Sequence, residues 1–144
     1  MSMNIKSLKR KDFKYFTSVE ARWRDMDVLG HINNATYLTY FESARIEYLA
    51  SLGLNINRWE GDESVILASM KIDYFRQSAY PNTYDIGCRI SRIGTKSFDI
   101  LAAIFDKSGA DPIVTGTFIT IGFNYKTQET VPIPKSVRDA YHPF

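Results

Sequence analysis

From Phe13 to Trp23 the chain alternates roughly between apolar and polar positions, with Phe13, Tyr15 or Phe16, Val19, Ala21 and Trp23 as the apolar set. This predicts a first strand ending near Arg24. From Tyr37 to Leu52 the spacing lengthens: Tyr37, Phe41, Ala44, Tyr48 and Leu52 recur at helical intervals. Asn33 or Asn34 is the expected N-cap and Gly53 the stop, and Phe41, Ala44 and Tyr48 face a core together. Four further runs read as strands. They are Val65 to Phe75, Tyr84 to Ile93, Ser97 to Phe105 and Ile113 to Tyr125. In the second, Tyr84, Ile86, Cys88 and Ile90 share a face; in the third, Phe98, Ile100, Ala102 and Ile104 do. Pro81-Asn82, Gly94-Thr95 and Ser108-Gly109 supply turns. Leu54 to Asp62 is a connector carrying Trp59, and a short helix is expected at Lys135 to Tyr141 in the proline-broken tail.

The order is thus one strand, one long helix, then four consecutive strands in a meander. Strands joined by tight turns are antiparallel. A single helix must serve the whole sheet, so the pattern predicts one α+β domain over residues 1–144. About five antiparallel strands would curl around a central helix. Residues 1–11 are polar and basic and are expected to form a loose arm.

Composition narrows the classes. The 144 residues are 44% hydrophobic and 14% aromatic, enough for one folded core and against disorder. A formal net charge of +2 gives no support to nucleic-acid binding. Lys6, Lys9, Arg10, Lys11 and Lys14 read as a solvated cluster. The single cysteine, Cys88, forms no intrachain disulfide and sits in an apolar run, so it reads as a core residue rather than a nucleophile. With two distant histidines it offers no zinc-ligand pattern. No apolar leader and no run of membrane-spanning length appear, and a cytoplasmic, reducing location is expected.

Chemistry concentrates between the first strand and the helix, in Arg24-Asp25-Met26-Asp27-Val28-Leu29-Gly30-His31-Ile32-Asn33-Asn34-Ala35-Thr36-Tyr37. Gly30 is the pivot of this loop. A helix N-terminus offers unpaired N–H groups and partial positive charge, a cradle for a carbonyl oxygen that gains charge during reaction. A carboxylate across from that cradle can attack the carbonyl carbon or activate a water. Asp25 and Asp27 lie two apart, so in extended chain they share one face and one pKa is raised. The plainer alternative has both as loop and capping residues, Gly30 as a turn glycine, His31 as a packed or solvent-facing imidazole, and Asn33 and Asn34 as caps.

The run Asp-Met-Asp-Val-Leu-Gly-His-Ile-Asn-Asn-Ala-Thr-Tyr (residues 25–37) and the helix after it resemble the signature of hotdog-fold acyl-CoA thioesterases of the 4-hydroxybenzoyl-CoA thioesterase type. The resemblance extends through most of the chain, including Ile-Gly-Thr-Lys-Ser-Phe (residues 93–98) before the fourth strand. It implies a sheet wrapped around a buried helix, with no metal or redox cofactor. It implies Asp27 as catalytic nucleophile or general base, and the Asn34 backbone N–H as donor to the thioester carbonyl. Gly30, His31 and Tyr37 join them as substrate-binding residues, His31 by orienting the carboxylate or water or by tying down the loop. It also implies a homodimer or homotetramer, with each site completed by the second and third meander strands of a partner subunit. Lys96 matches a position that contacts coenzyme A phosphates; the two residues before it are basic in that branch but Gly94 and Thr95 here, so either Arg89 and Arg92 substitute for them or all three are ordinary exposed strand residues. Gly-His-Ile-Asn-Asn (residues 30–34) is closer to the long-chain acyl-CoA or acyl-carrier-protein branch.

The leading expectation is therefore an acyl-CoA thioesterase. The alternatives are an acyl-carrier-protein thioesterase, a hotdog-fold hydratase or dehydratase, and a non-catalytic acyl-binding module, since fold alone does not fix function.

Overall fold

Helix α1 (Asn34–Ser51) buries Tyr37, Phe41, Ala44 and Tyr48 of the helical spacing together with Tyr40 and Leu49, and Leu52 is its C-cap. In the computed structural model, which describes residues 7–54, 56 and 61–144, this helix is held by strands β1 (Tyr15–Glu20), β2 (Glu63–Tyr74), β3 (Thr83–Ile93), β4 (Ser97–Asp106) and β5 (Val114–Asn124). A two-residue strand β6 (Glu129–Thr130) pairs with β5, and helix α2 (Lys135–Ala140) closes the tail. Trp59, in the expected connector, lies outside the described residues.

All strand pairs are antiparallel, and the sheet runs β1-β3-β4-β5-β2. Its inner face packs on α1. Tyr84, Ile86, Cys88 and Ile90 of β3 and Phe98, Ile100, Ala102 and Ile104 of β4 join the helix residues in one buried cluster. Cys88 is part of that core, and burial pushes its thiol up to about 12. The curled sheet around one long helix is the hotdog architecture expected.

The meander is corrected at its first step. β2 does not pair with β3; it crosses to the far edge and pairs with β5 over Glu63–Tyr74. Residues 75–82 separate β2 from β3, too many for the tight hairpin turn that would have forced neighbours. The crossover sets Tyr74 beside Val114, the start of β5. The ends of β1, β4 and β2 and the starts of β3 and β5 then gather at the end of the sheet where α1 begins.

The loose arm expected over residues 1–11 is corrected from Ser7 onward. Leu8 and Phe13 are buried against Leu101, Ala103 and Phe105 on the outer face of the sheet, forming a second apolar cluster. Arg10 fastens the same segment, donating to the carbonyls of Gly109 (2.6 Å) and Asp106 (3.0 Å) and pairing with Asp85 (3.0 Å). Its guanidinium also lies over the rings of Phe16 and Phe105. Leu8 stands alone among basic residues and makes no pattern, and Phe13, expected in the first strand, lies just before it and covers the outer face instead.

Candidate active site

β1 stops at Glu20, and the chain turns through a short 3-10 segment, Trp23–Asp25. The expected first strand is thus shorter, and Trp23, 73% exposed, lies beyond it. Asp25 is 3% exposed and bonded on every side. Its Oδ2 accepts from the Arg22 backbone N–H (2.9 Å) and the Tyr40 hydroxyl (2.6 Å), its Oδ1 from the Arg22 guanidinium (2.9 Å). Its own carbonyl accepts from Asn33 N–H (2.9 Å). Burial alone raises its pKa, but the Arg22 and Tyr40 bonds outweigh burial and hold the carboxyl below the usual carboxylate range. Asp25 is therefore the clasp of the loop.

Asp27 begins a tight turn. Gly30 N–H donates to the Asp27 carbonyl (3.0 Å), Asp27 N–H donates to the His31 carbonyl (2.9 Å), and Leu29 N–H donates to Asp27 Oδ1 (2.9 Å). Gly30 has φ +81°, a left-handed conformation that suits glycine. Past the turn, Ile32 N–H donates to the Ser78 carbonyl (2.8 Å), sewing the loop to the segment that follows β2. The expectation that Asp25 and Asp27 share a face is corrected. The 3-10 turn replaces the extended chain on which it rested, so Asp25 turns into the core and Asp27 stays half-buried at the surface.

The Asn33 side chain caps α1, accepting from Ala35 N–H at 2.7 Å. Asn34 is the first helical residue, where an N–H has no intrahelical acceptor. A cleft of about 410 Å³ opens here. Asp27, His31, Asn34 and Tyr37 line one side of it, and Tyr74, Phe75, Arg76 and Gln77 the other. Tyr74 joins the two sides, its hydroxyl donating to the Asn34 carbonyl at 3.1 Å. A carboxylate and the positive end of a helix thus open on one space, an arrangement suited to a carbonyl whose oxygen gains charge.

The structure brings Asp27, His31, Asn34 and Tyr37 together, with Gly30 shaping their loop. It does not bring Arg89, Arg92 or Lys96 of the same chain to them. Arg92 and Lys96 lie at the β3–β4 turn, about 30 Å along β3 from its start beside the cleft. Arg92 pairs there with Asp99 (2.9 Å). Arg89 donates to the carbonyls of Asp12 (2.8 Å) and His142 (2.6 Å), stacks on Phe144, and lines a separate groove with Lys11 and Tyr48. The sequence points to neither Arg76 nor Gln77 as a cleft residue, and it places Tyr74 and Phe75 only at the end of a predicted strand. Their entry depends on the β2 crossover, which no local pattern announced.

Residues 21–141 match the family model described as the thioesterase-like superfamily. The chain belongs to this superfamily. The family match takes in both the Asp27 loop and the strands that carry the opposite wall. YsmA of Bacillus subtilis is 27% identical over 122 residues, covering 85% of this chain and 81% of that protein. The long-chain acyl-CoA thioesterase FadM of Escherichia coli is 24% identical over 126 residues, covering 85% of this chain and 93% of that one. Among solved structures, the PA5185 protein of Pseudomonas aeruginosa is 31% identical, with a TM-score of 0.84 over 92% of each chain. Membership supports thioester hydrolysis as the general chemistry of the chain. No described helix is long and apolar enough to cross a membrane.

Proposed function

We propose that the chain is an acyl-CoA thioesterase, converting an acyl thioester and water to the free acid and coenzyme A. The observation that carries this reading is that Asp27 and the first residue of α1 line one cleft. In the reaction the thioester carbonyl oxygen rests against the Asn34 N–H, where the helix dipole favours the charge it acquires. Asp27 then acts in one of two ways. As general base it takes a proton from water, whose oxygen attacks the carbonyl carbon; the C–S bond breaks and the thiolate leaves to be protonated. As nucleophile its own oxygen attacks, the thiolate leaves, and water cleaves the resulting anhydride. Gly30 fixes the turn that aims the carboxylate, and His31, whose carbonyl holds the Asp27 N–H, stands beside it to orient the water.

The active unit in this reading is a homodimer or homotetramer. β2 is a sheet edge whose Ile66, Leu67, Met70 and Tyr74 are exposed, and Val28 at the tip of the Asp27 turn is 99% exposed. Both features support a second copy closing the cleft. The coenzyme phosphates then meet Lys96, Arg92 and Arg89 from that second copy, whose β3–β4 region approaches the open side.

The test is thiol release from acyl-CoA esters by the wild type, Asp27→Asn and Asp27→Ala. Turnover is expected to fall about 100- to 10,000-fold in both variants with folding retained. Near-full turnover by Asp27→Asn would overturn the assignment, and a change in enoyl absorbance without free thiol would move the protein to the hydratases. Light scattering reads the assembly, and a strict monomer with full activity would remove the shared cleft.

A further inference from the structure

Tyr37 carries a loose end in the cleft. The residue is 2% exposed, and its hydroxyl is sealed from solvent with no hydrogen-bond partner among the described residues. A buried O–H without an acceptor is unfavourable, and in a folded protein it calls for a ligand or a bound water. The ring is fixed by Tyr40 and Tyr74, both with centroids 6.1 Å away. Burial is the main reason the phenol's pKa is raised. The charges that reach it next are those of Tyr84, Asp106 and Tyr74, with Arg76 acting in the opposite sense. Tyr37 lines the cleft across from the wall that Tyr74 and Arg76 present to it.

Arg76, on that wall, is a second donor. Its guanidinium is half-exposed and steadied by Asp106, whose Oδ2 accepts from it at 2.9 Å. The other oxygen of Asp106 accepts from the Asn82 amide at 2.9 Å, so the carboxylate itself is held. A guanidinium has five N–H donors, and this pairing leaves others to face the cleft. Tyr37 and Arg76 thus bring two donors to the cleft on which Asp27 and Asn34 open, one from each side. Two donors lining one cleft recognise an acceptor.

We infer that the acyl group carries an oxygen substituent, a carboxylate or a hydroxyl, a few carbons from the thioester, and that Tyr37 and Arg76 recognise it. The inference rests on the thioesterase reading. With the thioester carbonyl at Asn34, an oxygen at Arg76 shares the same cleft of about 410 Å³. The pantetheine arm carries amide and hydroxyl oxygens of its own, and esters that share this arm and differ only in the acyl chain read the acyl side alone. A hydrocarbon acyl chain would leave the Tyr37 hydroxyl unpaired, which is how such sites reject the analogue that lacks the group.

The experiment uses three five-carbon esters that differ only at the far end: valeryl-CoA, 5-hydroxyvaleryl-CoA and glutaryl-CoA. Wild type, Tyr37→Phe and Arg76→Gln are compared by thiol release, and thermal melts confirm that each variant folds. The wild type is expected to favour an oxygenated ester over valeryl-CoA by about tenfold or more in kcat/KM. The preferred ester tells carboxylate from hydroxyl. Each substitution is expected to pull that ratio toward one, mainly through KM. A wild-type ratio near one, or a ratio that survives both substitutions, overturns the inference while leaving the hydrolase intact. Calorimetry with the primary amides valeramide, 5-hydroxyvaleramide and glutaramate, which keep the carbonyl and differ only at the far end, gives a readout free of turnover. If the wild type hydrolyses none of the three esters, the amides decide: binding of an oxygenated amide that Tyr37→Phe weakens supports the inference, and equal or absent binding overturns it.

Discussion

The hydroxyl of Tyr40, in the second turn of α1, donates to Oδ2 of Asp25 at 2.6 Å and so locks the loop that carries Asp27 onto the helix that carries the Asn34 amide. Tyr40→Phe removes this bond and leaves a buried carboxylate oxygen short of one donor. A hydrogen bond to a charged group of this kind contributes about 1.5–3 kcal/mol. The variant is expected to lose that much stability in urea titration at neutral pH, and to lose turnover as well, because Asp27 no longer has a fixed anchor two residues away. An unchanged midpoint would mean that Arg22 alone suffices to hold Asp25.

The same carboxylate sets a pH dependence. Its pKa in the folded protein lies below the ordinary value, so ionised Asp25 stabilises the fold above that ordinary value, near pH 4. The contribution is lost as pH falls through the lower, folded value. The stability gap between wild type and Tyr40→Phe is therefore expected to be widest near neutral pH and to shrink below about pH 4. Denaturant titrations at pH 7 and pH 3 check this, and a gap that grows on acidification would reverse the sign of the argument.

Gly30 is required for its backbone, not for space. At φ +81° a side chain is strained, yet a Cβ built there meets nothing within 4 Å. Gly30→Ala is expected to cost about 1–2 kcal/mol and to disturb the Asp27 turn. Gly30→Asn should cost less, because asparagine tolerates the left-handed region, and Gly30→Val should cost most. Equal losses across the three, read by thermal denaturation and thiol release, would point to a contact rather than a dihedral.

Much of this was readable along the chain because it is local. Alternation placed Tyr84, Ile86, Cys88 and Ile90 on one face, helical spacing did the same for Phe41, Ala44 and Tyr48, and the whole set is buried. The loop from Asp25 to Asn34 stood out because polar groups crowd there between two apolar elements. What escaped was set by long-range pairing. The move of β2 to the far edge depends on its fit to β5, and with it came Arg76 and Gln77. The different fates of Asp25 and Asp27 depend on one 3-10 turn and on Tyr40, fifteen residues on in sequence. Nothing in their two-residue spacing marks Asp25 as the buried one.

The N-terminal segment gives the last prediction. A Cβ added to Gly87, on the outer face of β3, would lie 2.7 Å from Cγ of Phe13, closer than atoms tolerate. Gly87→Ala alone must push Phe13 off the sheet, a cost of about 1–3 kcal/mol for an overpacked site. Phe13→Ala alone empties the space over Leu101 and Phe105 and is expected to cost about 3–5 kcal/mol. In the double variant the new methyl group enters the space that the ring has left, so the clash disappears. The combined loss is then expected to be smaller than the sum of the single losses by about 1 kcal/mol or more, the mark of residues in contact. A four-point cycle of urea titrations measures this, and strict additivity would mean that the segment around Phe13 does not rest on β3 in solution.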